Sequence, residues 1–257
     1  MLNQEEKARY SRHLMLDDVG EEGQEKIKNA SVLIIGCGAL GTPNALYLAG
    51  AGIGKIGLVD DDVVDVSNLH RQVMYRTSDI GISKALSAKN AILSLNPNVE
   101  VEIYQTRFEL ENAFDLIGGY DFVIDASDNF VTKFLVNQAC VLSNKPYAHA
   151  GIVRYMGQAM TYYPDSACLG CLFPSPPKDA SLYKMGLFGS ITGILGSIQA
   201  CEALKFFTGV GIPLINALLN VEISSMTFRK LKIAKNPECP VCGKNASKVL
   251  TALSCNS

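Results

Sequence analysis

The chain has 257 residues, of which 48% are hydrophobic and 19% charged, so we expect a sizeable hydrophobic core and little disorder. Its net charge of −2 provides no basic surface for nucleic acid or for an anionic membrane. Eight cysteines, together with a polar N-terminus that does not resemble a secretory leader, predict a cytoplasmic protein whose paired cysteines bind metal.

The predicted elements alternate between strands and helices through the first half of the chain. In order they are a helix over the first fifteen residues, a strand at 31–36, a helix at 42–52, a strand at 55–60, a helix at 83–96, a strand at 99–105, a short helix at 108–117, a strand within 120–129, a helix at 130–143, and strands at 147–154 and 158–164. This order predicts an α/β fold with a Rossmann-like, mainly parallel sheet. Further strand pairs in the second half predict that antiparallel strands continue the sheet. The apolar run at 185–201 is interrupted by four glycines and is too short to span a bilayer comfortably, so we expect a helix buried in protein.

A glycine-rich turn, GCGALG at 36–41, lies between the first predicted strand and the following helix. Glycines there let the backbone approach a phosphate closely, and the helix N-terminus offers free N–H groups. Asp60 follows about twenty residues later, at the place of a ribose-binding acid. The candidate nucleotide-binding residues of the turn are Gly36, Gly38, Ala39, Leu40 and Gly41. The turn and the acid fit NAD and ATP equally well.

The charged residues favour a triphosphate. Arg12, Arg71 and Lys84 are candidate phosphate ligands, while Asp62 and Asp128 are acids that suit Mg²⁺. Each residue alone could be an ordinary surface side chain. Their common position beyond the carboxyl ends of the strands is what favours a site.

Two Cys-x₂-Cys pairs, CLGC at 168–171 and CPVCG at 239–243, suggest a metal centre. Four thiolates suit a structural Zn²⁺, and the alternative is four unrelated thiols in two loops. The predicted ligands are Cys168, Cys171, Cys239 and Cys242. Cys140 and Cys201 fall on predicted helices with apolar neighbours, where buried thiols are common.

Several motifs together resemble the ThiF/MoeB/HesA family, bacterial relatives of the ubiquitin-activating enzymes. They are RYSRH at 9–13, GCGALG at 36–41, DDDVVDVSNLHRQ at 60–72, DIGISKA at 79–85, DASDN at 125–129 and GSIQACEALK at 196–205. The resemblance extends from about Tyr10 to Cys242. SNLHRQ and DASDN make it much more specific than a glycine-rich turn alone.

The resemblance implies a role for each site residue. Asp60 would hold the ATP ribose, and Asn68, Arg71 and Lys84 would contact the phosphates. Asp128 would be the acid needed for catalysis, acting through Mg²⁺, with Asn129 beside it. Arg12 would reach from one subunit into the ATP site of its neighbour, which implies a homodimer.

The implied reaction is ATP-dependent adenylylation of the C-terminal glycine carboxylate of a ubiquitin-like sulfur carrier protein that ends in Gly-Gly. The carrier would be ThiS- or MoaD-like, in thiamine or molybdenum-cofactor biosynthesis. We expect a single adenylation domain over 1–257, with a helical arm at 1–29, a nucleotide-binding half at 30–150 and a carrier-binding and zinc half at 151–245. The alternatives are a microcin-type peptide substrate, a catalytically silent nucleotide-binding scaffold and, least favoured, an NAD-dependent dehydrogenase.

The segment at 176–189 contains no cysteine, although relatives that transfer sulfur or form a thioester carry one in the equivalent loop. The sequence therefore supports adenylylation more strongly than covalent sulfur transfer, and it leaves the role of Cys255 open. We interpret His149 as a strand-end residue with satisfied hydrogen bonds and not as a catalytic base.

Overall fold

The structure is a computed structural model, and it describes residues 1–176, 185–247 and 249–251. Most of the cysteine-free segment at 176–189 lies outside the described residues, as does Cys255. Among the described residues, no helix has the length and apolar character needed to cross a membrane.

Strands and helices alternate as predicted through the first half of the chain. The strands are β1 Ser31–Ile35, β2 Lys55–Val59, β3 Glu100–Tyr104, β4 Phe122–Asp125, β5 Tyr147–Val153, β6 Met156–Tyr162, β7 Ala217–Glu222 and β8 Thr227–Lys232. The α-helices are α1 Gln4–Arg9, α2 Ser11–Leu14, α3 Gly20–Lys28, α4 Gly41–Ala51, α5 Lys84–Leu95, α6 Ala113–Gly118, α7 Phe130–Leu142, α8 Leu169–Leu172 and α9 Gly189–Thr208.

The eight strands form one sheet in the order β3-β2-β1-β4-β5-β6-β7-β8. Strands β1 to β5 are parallel, and β5 to β8 pair antiparallel. This confirms the prediction of a mainly parallel, Rossmann-like sheet that is continued by antiparallel strands. The carboxyl ends of the parallel strands lie at one edge of the sheet, where open α/β sheets bind ligands.

Helices cover both faces of the parallel part of the sheet, as the side-chain alternation of β1 illustrates. Val32 and Ile34 pack in the core cluster formed with α4, α5 and α9, whereas Leu33 and Ile35 pack in the cluster formed with α6 and α7. A strand with apolar side chains on both faces needs such a double cover. The burial holds the strand ends in fixed positions around the site.

The N-terminal segment differs from the single predicted helix. It forms two short helices, α1 and α2, separated at Tyr10, whose φ of −98° and ψ of 16° lie outside the helical region. The Tyr10 ring is buried against Gly52, and its hydroxyl accepts a hydrogen bond of 2.8 Å from Asn96. A tertiary contact therefore overrides the local helical preference. The predicted helix at 108–117 likewise begins later, at Ala113.

Helix α9 packs closely against α4 through a small residue. A side chain at Gly196 would collide with Pro43 and with the carbonyl oxygen of Leu40, so the glycine permits the contact. The predicted burial of this helix in protein is thereby confirmed for the face that carries Gly196. Gly193 lies on an open part of the helix, since a methyl group there would meet no atom within 4 Å.

Candidate active site

A cavity of about 1550 Å³ opens beyond the carboxyl ends of the parallel strands. Its walls include the ends of β1, β2, β4 and β5, the glycine-rich turn and the segment before α9. The structure therefore brings most of the predicted site residues to one place, although it leaves Gly41, Asn68 and Arg12 outside the lining.

The glycine-rich turn depends on two glycines for its shape. Gly36 has a φ of +96°, and a Cβ there would lie 2.7 Å from the carbonyl oxygen of Ala126. A Cβ at Gly41 would collide with the carbonyl oxygen of Gly36. The turn thus requires glycine at both positions and leads directly into α4, whose N-terminus can accept a phosphate.

Asp60 holds the turn from the end of β2. Its Oδ2 accepts a hydrogen bond of 2.7 Å from the Cys37 N–H, and its Oδ1 accepts one of 2.9 Å from the Asp62 N–H. Burial raises the pKa of Asp60, although both backbone donors act in the opposite direction. Each carboxylate oxygen retains a second lone pair, so the residue can also accept ribose hydroxyls.

Lys84 begins α5 and lies against Asp62. Its Nζ is 2.7 Å from Asp62 Oδ2, and only 8% of its side chain is exposed, compared with 70% of Asp62. Lys84 is therefore not the solvated helix residue that a lysine in this position usually is. Its ammonium group faces the cavity while a carboxylate neutralises it.

Arg71 also lines the cavity. Its Nη1 donates a hydrogen bond of 2.8 Å to the carbonyl oxygen of Ser67 and lies 2.9 Å from His70 Nε2. Asn68 does not reach the cavity, because its Oδ1 accepts a hydrogen bond of 3.2 Å from the Asp65 N–H in a short 3₁₀ turn. In this structure Asn68 therefore shapes the loop that carries Arg71.

Asp128 and Asn129 follow β4 at the cavity wall. Asn129 is the N-cap of α7, since its Oδ1 accepts a hydrogen bond of 2.8 Å from the Thr132 N–H. Asp128 is exposed, so its carboxylate is available to a ligand in the cavity.

A buried charged cluster was not predicted; it lies at the end of β4, where Asp125 pairs with His149 near the middle of β5. Asp125 is fully buried and lies 2.7 Å from His149 Nδ1 and 3.3 Å from Lys133 Nζ. It also accepts a hydrogen bond of 2.6 Å from Ser127 Oγ. Burial alone would raise the pKa of Asp125, but the charge of Lys133 and the hydrogen bonds from His149 and Ser127 lower it to about 2.

The prediction that His149 is satisfied holds for only one of its ring nitrogens. Nδ1 is paired with Asp125, whereas Nε2 is buried and has no hydrogen-bond partner among the described residues. The sequence shows an acid, Asp125, at the start of DASDN, but it does not show that this acid pairs with His149, which lies 24 residues later.

Arg12 lies on α2, where it is exposed and points towards Met15, with Nη1 3.9 Å from the sulfur. It is not among the residues that line the cavity of its own chain.

The four predicted cysteine ligands lie together, with all four Sγ atoms within 4.8 Å of one another. Cys168 and Cys239 are 3.7 Å apart, and Cys171 and Cys242 are 3.4 Å apart. Backbone N–H groups point at the sulfurs, for example Asn236 N at 3.3 Å from Cys171 Sγ. Such donors stabilise thiolates, so the arrangement suits a tetrahedral metal ion.

Two other cysteines had been expected to be buried in helices. Cys140 is buried, but Cys201 is exposed on α9, so the expectation is wrong for Cys201. The apolar neighbours of Cys201 in sequence lie on other faces of the helix.

Comparison with known proteins relates the chain to one family. The sequence profile of the ThiF family matches residues 10–241. The sulfur carrier protein adenylyltransferase of Thermus thermophilus is 46% identical over 93% of this chain and 92% of its own length. The SAMP-activating enzyme E1 of Haloferax volcanii is 42% identical over 92% of this chain and 88% of its own length.

Other relatives are longer or more distant. The probable adenylyltransferase/sulfurtransferase MoeZ of Mycobacterium tuberculosis is 44% identical over 93% of this chain, which spans only 63% of that protein. Among solved structures, Escherichia coli MccB with ATP superposes with a TM-score of 0.79 at 26% identity, covering 94% of this chain and 75% of MccB.

Proposed function

The chain belongs to the ThiF family, and from that premise we propose that it adenylylates the C-terminal glycine carboxylate of a ubiquitin-like sulfur carrier, using ATP and releasing pyrophosphate. The observation that carries the proposal is the meeting of a glycine-rich turn, a ribose-type acid, two cations and an exposed acid in one cavity. A relative with the name sulfur carrier protein adenylyltransferase, 46% identical over nearly the whole chain, supports it.

The proposed reaction needs no general base. A terminal carboxylate has a pKa near ~3.5 and is ionised at neutral pH. One of its oxygens attacks the α-phosphorus of ATP, and the bond from that phosphorus to the bridging oxygen breaks with its electron pair on pyrophosphate. No proton changes place, so the main barrier is the approach of an anion to a polyanion.

In this mechanism Lys84 and Arg71 supply fixed positive charge beside the phosphates, and the glycine-rich turn supplies N–H groups. Asp60 would orient the ribose, with Asn68 and Asn129 shaping the loops on either side. For Lys84 to contact a phosphate, its ion pair with Asp62 must be exchanged for one with the nucleotide. The low exposure of Lys84 limits the water that must be displaced.

Mg²⁺ fits the carboxylates of Asp128 and Asp62, because both line the cavity and carboxylate oxygens are its preferred protein ligands. Bound there, it would neutralise charge on the phosphates. Zn²⁺ fits the four-cysteine cluster, where an all-thiolate set indicates a structural ion with no position open for catalysis.

We assign the reaction to the cytoplasm, where the cysteines of the cluster would stay reduced. The carrier would be ThiS- or MoaD-like and would enter thiamine or molybdenum-cofactor synthesis. The exposed Arg12, outside its own cavity, supports a homodimer in which it completes the partner's site.

A microcin-type peptide substrate is the second candidate, because the microcin C7 biosynthetic enzyme MccB superposes with a TM-score of 0.78 at 25% identity. The higher identity of the sulfur carrier enzyme favours the first.

Carrier-dependent ATP–pyrophosphate exchange tests both candidates. We expect exchange with a purified thiamine-type or molybdopterin-type carrier that ends in Gly-Gly, and none with the same carrier lacking its last residue. Exchange with a free peptide but with neither carrier would favour the second candidate. ATP binding without any exchange would indicate a silent scaffold.

A further inference from the structure

His149 presents a buried hydrogen-bond acceptor to the cavity wall. The residue is 2% exposed and lines the cavity, while its Nε2 has no partner among the described residues. A buried polar atom without a partner costs free energy, because it has lost its hydrogen bonds to water. Such an atom in a substrate cavity therefore points to a ligand that supplies the missing hydrogen bond.

The protonation of His149 follows from Asp125. The carboxylate only accepts hydrogen bonds, so Nδ1 carries the proton of the 2.7 Å contact. Burial lowers the pKa of His149, although the hydrogen bond to Asp125 opposes this effect. The ring is then neutral at pH 7, and Nε2 presents a lone pair. Its ligand must be an N–H or O–H donor.

The nucleoside end of ATP is not that donor. The ribose-type acid, Asp60, follows β2, whereas His149 lies on β5, and the strand order places β1 and β4 between them. Three strand spacings amount to about 14 Å. Ribose hydroxyls bound at Asp60 would therefore lie too far from His149, and the ionised phosphates offer only acceptors, so the donor must come from the other substrate.

A narrow slot lies beside the imidazole. β5 loses its parallel neighbour after His149, and Gly151 follows two residues later on the same face, opposite Gln158 of β6. A methyl group built on Gly151 would lie 3.8 Å from His149 Nε2 and 3.8 Å from Gln158 Nε2. The missing side chain thus leaves space between the two polar groups, and Gln158 is only half-buried.

We propose that His149 Nε2 accepts a hydrogen bond from a backbone N–H of the carrier's Gly-Gly tail, which enters the slot at Gly151. This rests on the proposed function and adds a positioning residue to it. The carboxylate itself cannot be the partner of Nε2, because two acceptors do not bond. Held by an upstream N–H, the tail projects its carboxylate towards the nucleotide. Asp125 and Lys133 act through His149 by fixing its tautomer and orientation.

The test combines two enzyme variants with a modified carrier. Wild type, His149→Ala and Gly151→Ala are compared by ATP–pyrophosphate exchange, using semisynthetic carriers with native Gly-Gly or with one N-methylated tail glycine. In the wild type, methylation of the bonded nitrogen should raise the half-saturating carrier concentration about five- to tenfold, as for one hydrogen bond. His149→Ala should show the raised half-saturating carrier concentration with every carrier. Its half-saturating ATP concentration should be unchanged.

Gly151→Ala fills the slot without removing the imidazole, and its contacts of 3.8 Å are ordinary packing distances. This variant should raise the half-saturating carrier concentration and leave the melting temperature unchanged. The proposal is overturned if either variant keeps the half-saturating carrier concentration of the wild type. It is also overturned if His149→Ala still discriminates against the methylated carrier. Absence of exchange by the wild type, despite ATP binding, would overturn the proposed function as well.

Discussion

Lys84 and Asp62 are joined by two contacts: an ion pair of 2.7 Å between their side chains and a hydrogen bond of 2.9 Å from the Lys84 N–H to the Asp62 carbonyl oxygen. The backbone contact fixes where α5 begins, and the side-chain contact keeps a nearly buried cation at the cavity wall. A nucleotide that binds there competes with a carboxylate that is itself mostly in water. If Lys84 binds a phosphate as proposed, the exposed Asp62 carboxylate can give up the ion pair and move into water.

Replacing Lys84 by methionine should lower the rate of ATP–pyrophosphate exchange by about a hundredfold or more, as for other preorganised charge stabilisers. The melting temperature should change little, because Asp62 remains solvated. Lys26→Met is the matched control, since Lys26 forms an exposed ion pair with Glu22. Equal activity of the two variants would contradict a role for Lys84.

Asp128→Asn should reduce exchange by about a hundredfold or more while ATP binding persists, because it removes the exposed carboxylate that is proposed to hold Mg²⁺. Titration with Mg²⁺ measures whether the metal requirement rises. Asp115→Asn, an exposed substitution on α6, should leave both quantities unchanged. Full activity of Asp128→Asn would refute the metal assignment.

Two inactive variants should restore activity when they are mixed, if Arg12 acts in the partner's site. In a heterodimer of Arg12→Ala and Asp128→Asn, one of the two sites carries neither substitution. Random exchange of subunits then yields about a quarter of the wild-type activity. Sedimentation of the same samples measures the oligomeric state. No recovery from an exchanged dimer would place Arg12 in its own subunit's site or in none.

The cysteine cluster should bind one zinc ion per chain. Cys171→Ser should lose the metal and lower the melting temperature by about 6–12 °C, taking about 3 kcal/mol for a weakened structural site. Metal analysis and thermal unfolding measure these effects. Cys201→Ser, at the exposed cysteine of α9, should retain zinc and wild-type stability. Zinc-free protein, purified without chelators, would contradict the assignment.

Acid should destabilise the fold through Asp125. Its pKa falls from the ordinary 3.8 to about 2 in the folded protein, so its stabilisation is complete above about pH 5 and is lost as the pH falls towards 2. The loss amounts to about 2 kcal/mol. His149 also lowers the stability as the pH falls below its ordinary pKa of 6.5. Burial lowers its pKa in the folded state, so protonation favours the unfolded chain.

Urea unfolding at pH 7, 5, 4 and 3 measures this dependence. Asp125→Asn should show a shallower dependence from pH 5 to 3 and a lower stability at pH 7, since Lys133 loses its carboxylate partner. Asp115→Asn should follow the wild type. Parallel curves for all three proteins would contradict the role of Asp125.

The sequence predicted the features that local pattern determines. The apolar runs of β1 and β2, the glycine-rich turn at 36–41 and the two cysteine pairs each carry their signal within a few residues, and the structure confirms all of them. The break at Tyr10 was missed because its cause is a contact with Asn96, 86 residues away. The Asp125–His149 pair was missed because it depends on the register of β4 against β5, which a single sequence does not specify.

The cysteine cluster joins residues whose positions in the chain differ by 71, as the pair of Cys168 and Cys239 illustrates. At about 5–20 residues per second, synthesis of the intervening chain takes about 4–14 s. During that time only the two thiols of the first Cys-x₂-Cys pair have been made. The ribosome is meanwhile synthesising the chain that includes β7 and β8. A metal ion held by all four thiols could therefore bind only after Cys242 has been made, by which time β7 and β8 have been produced.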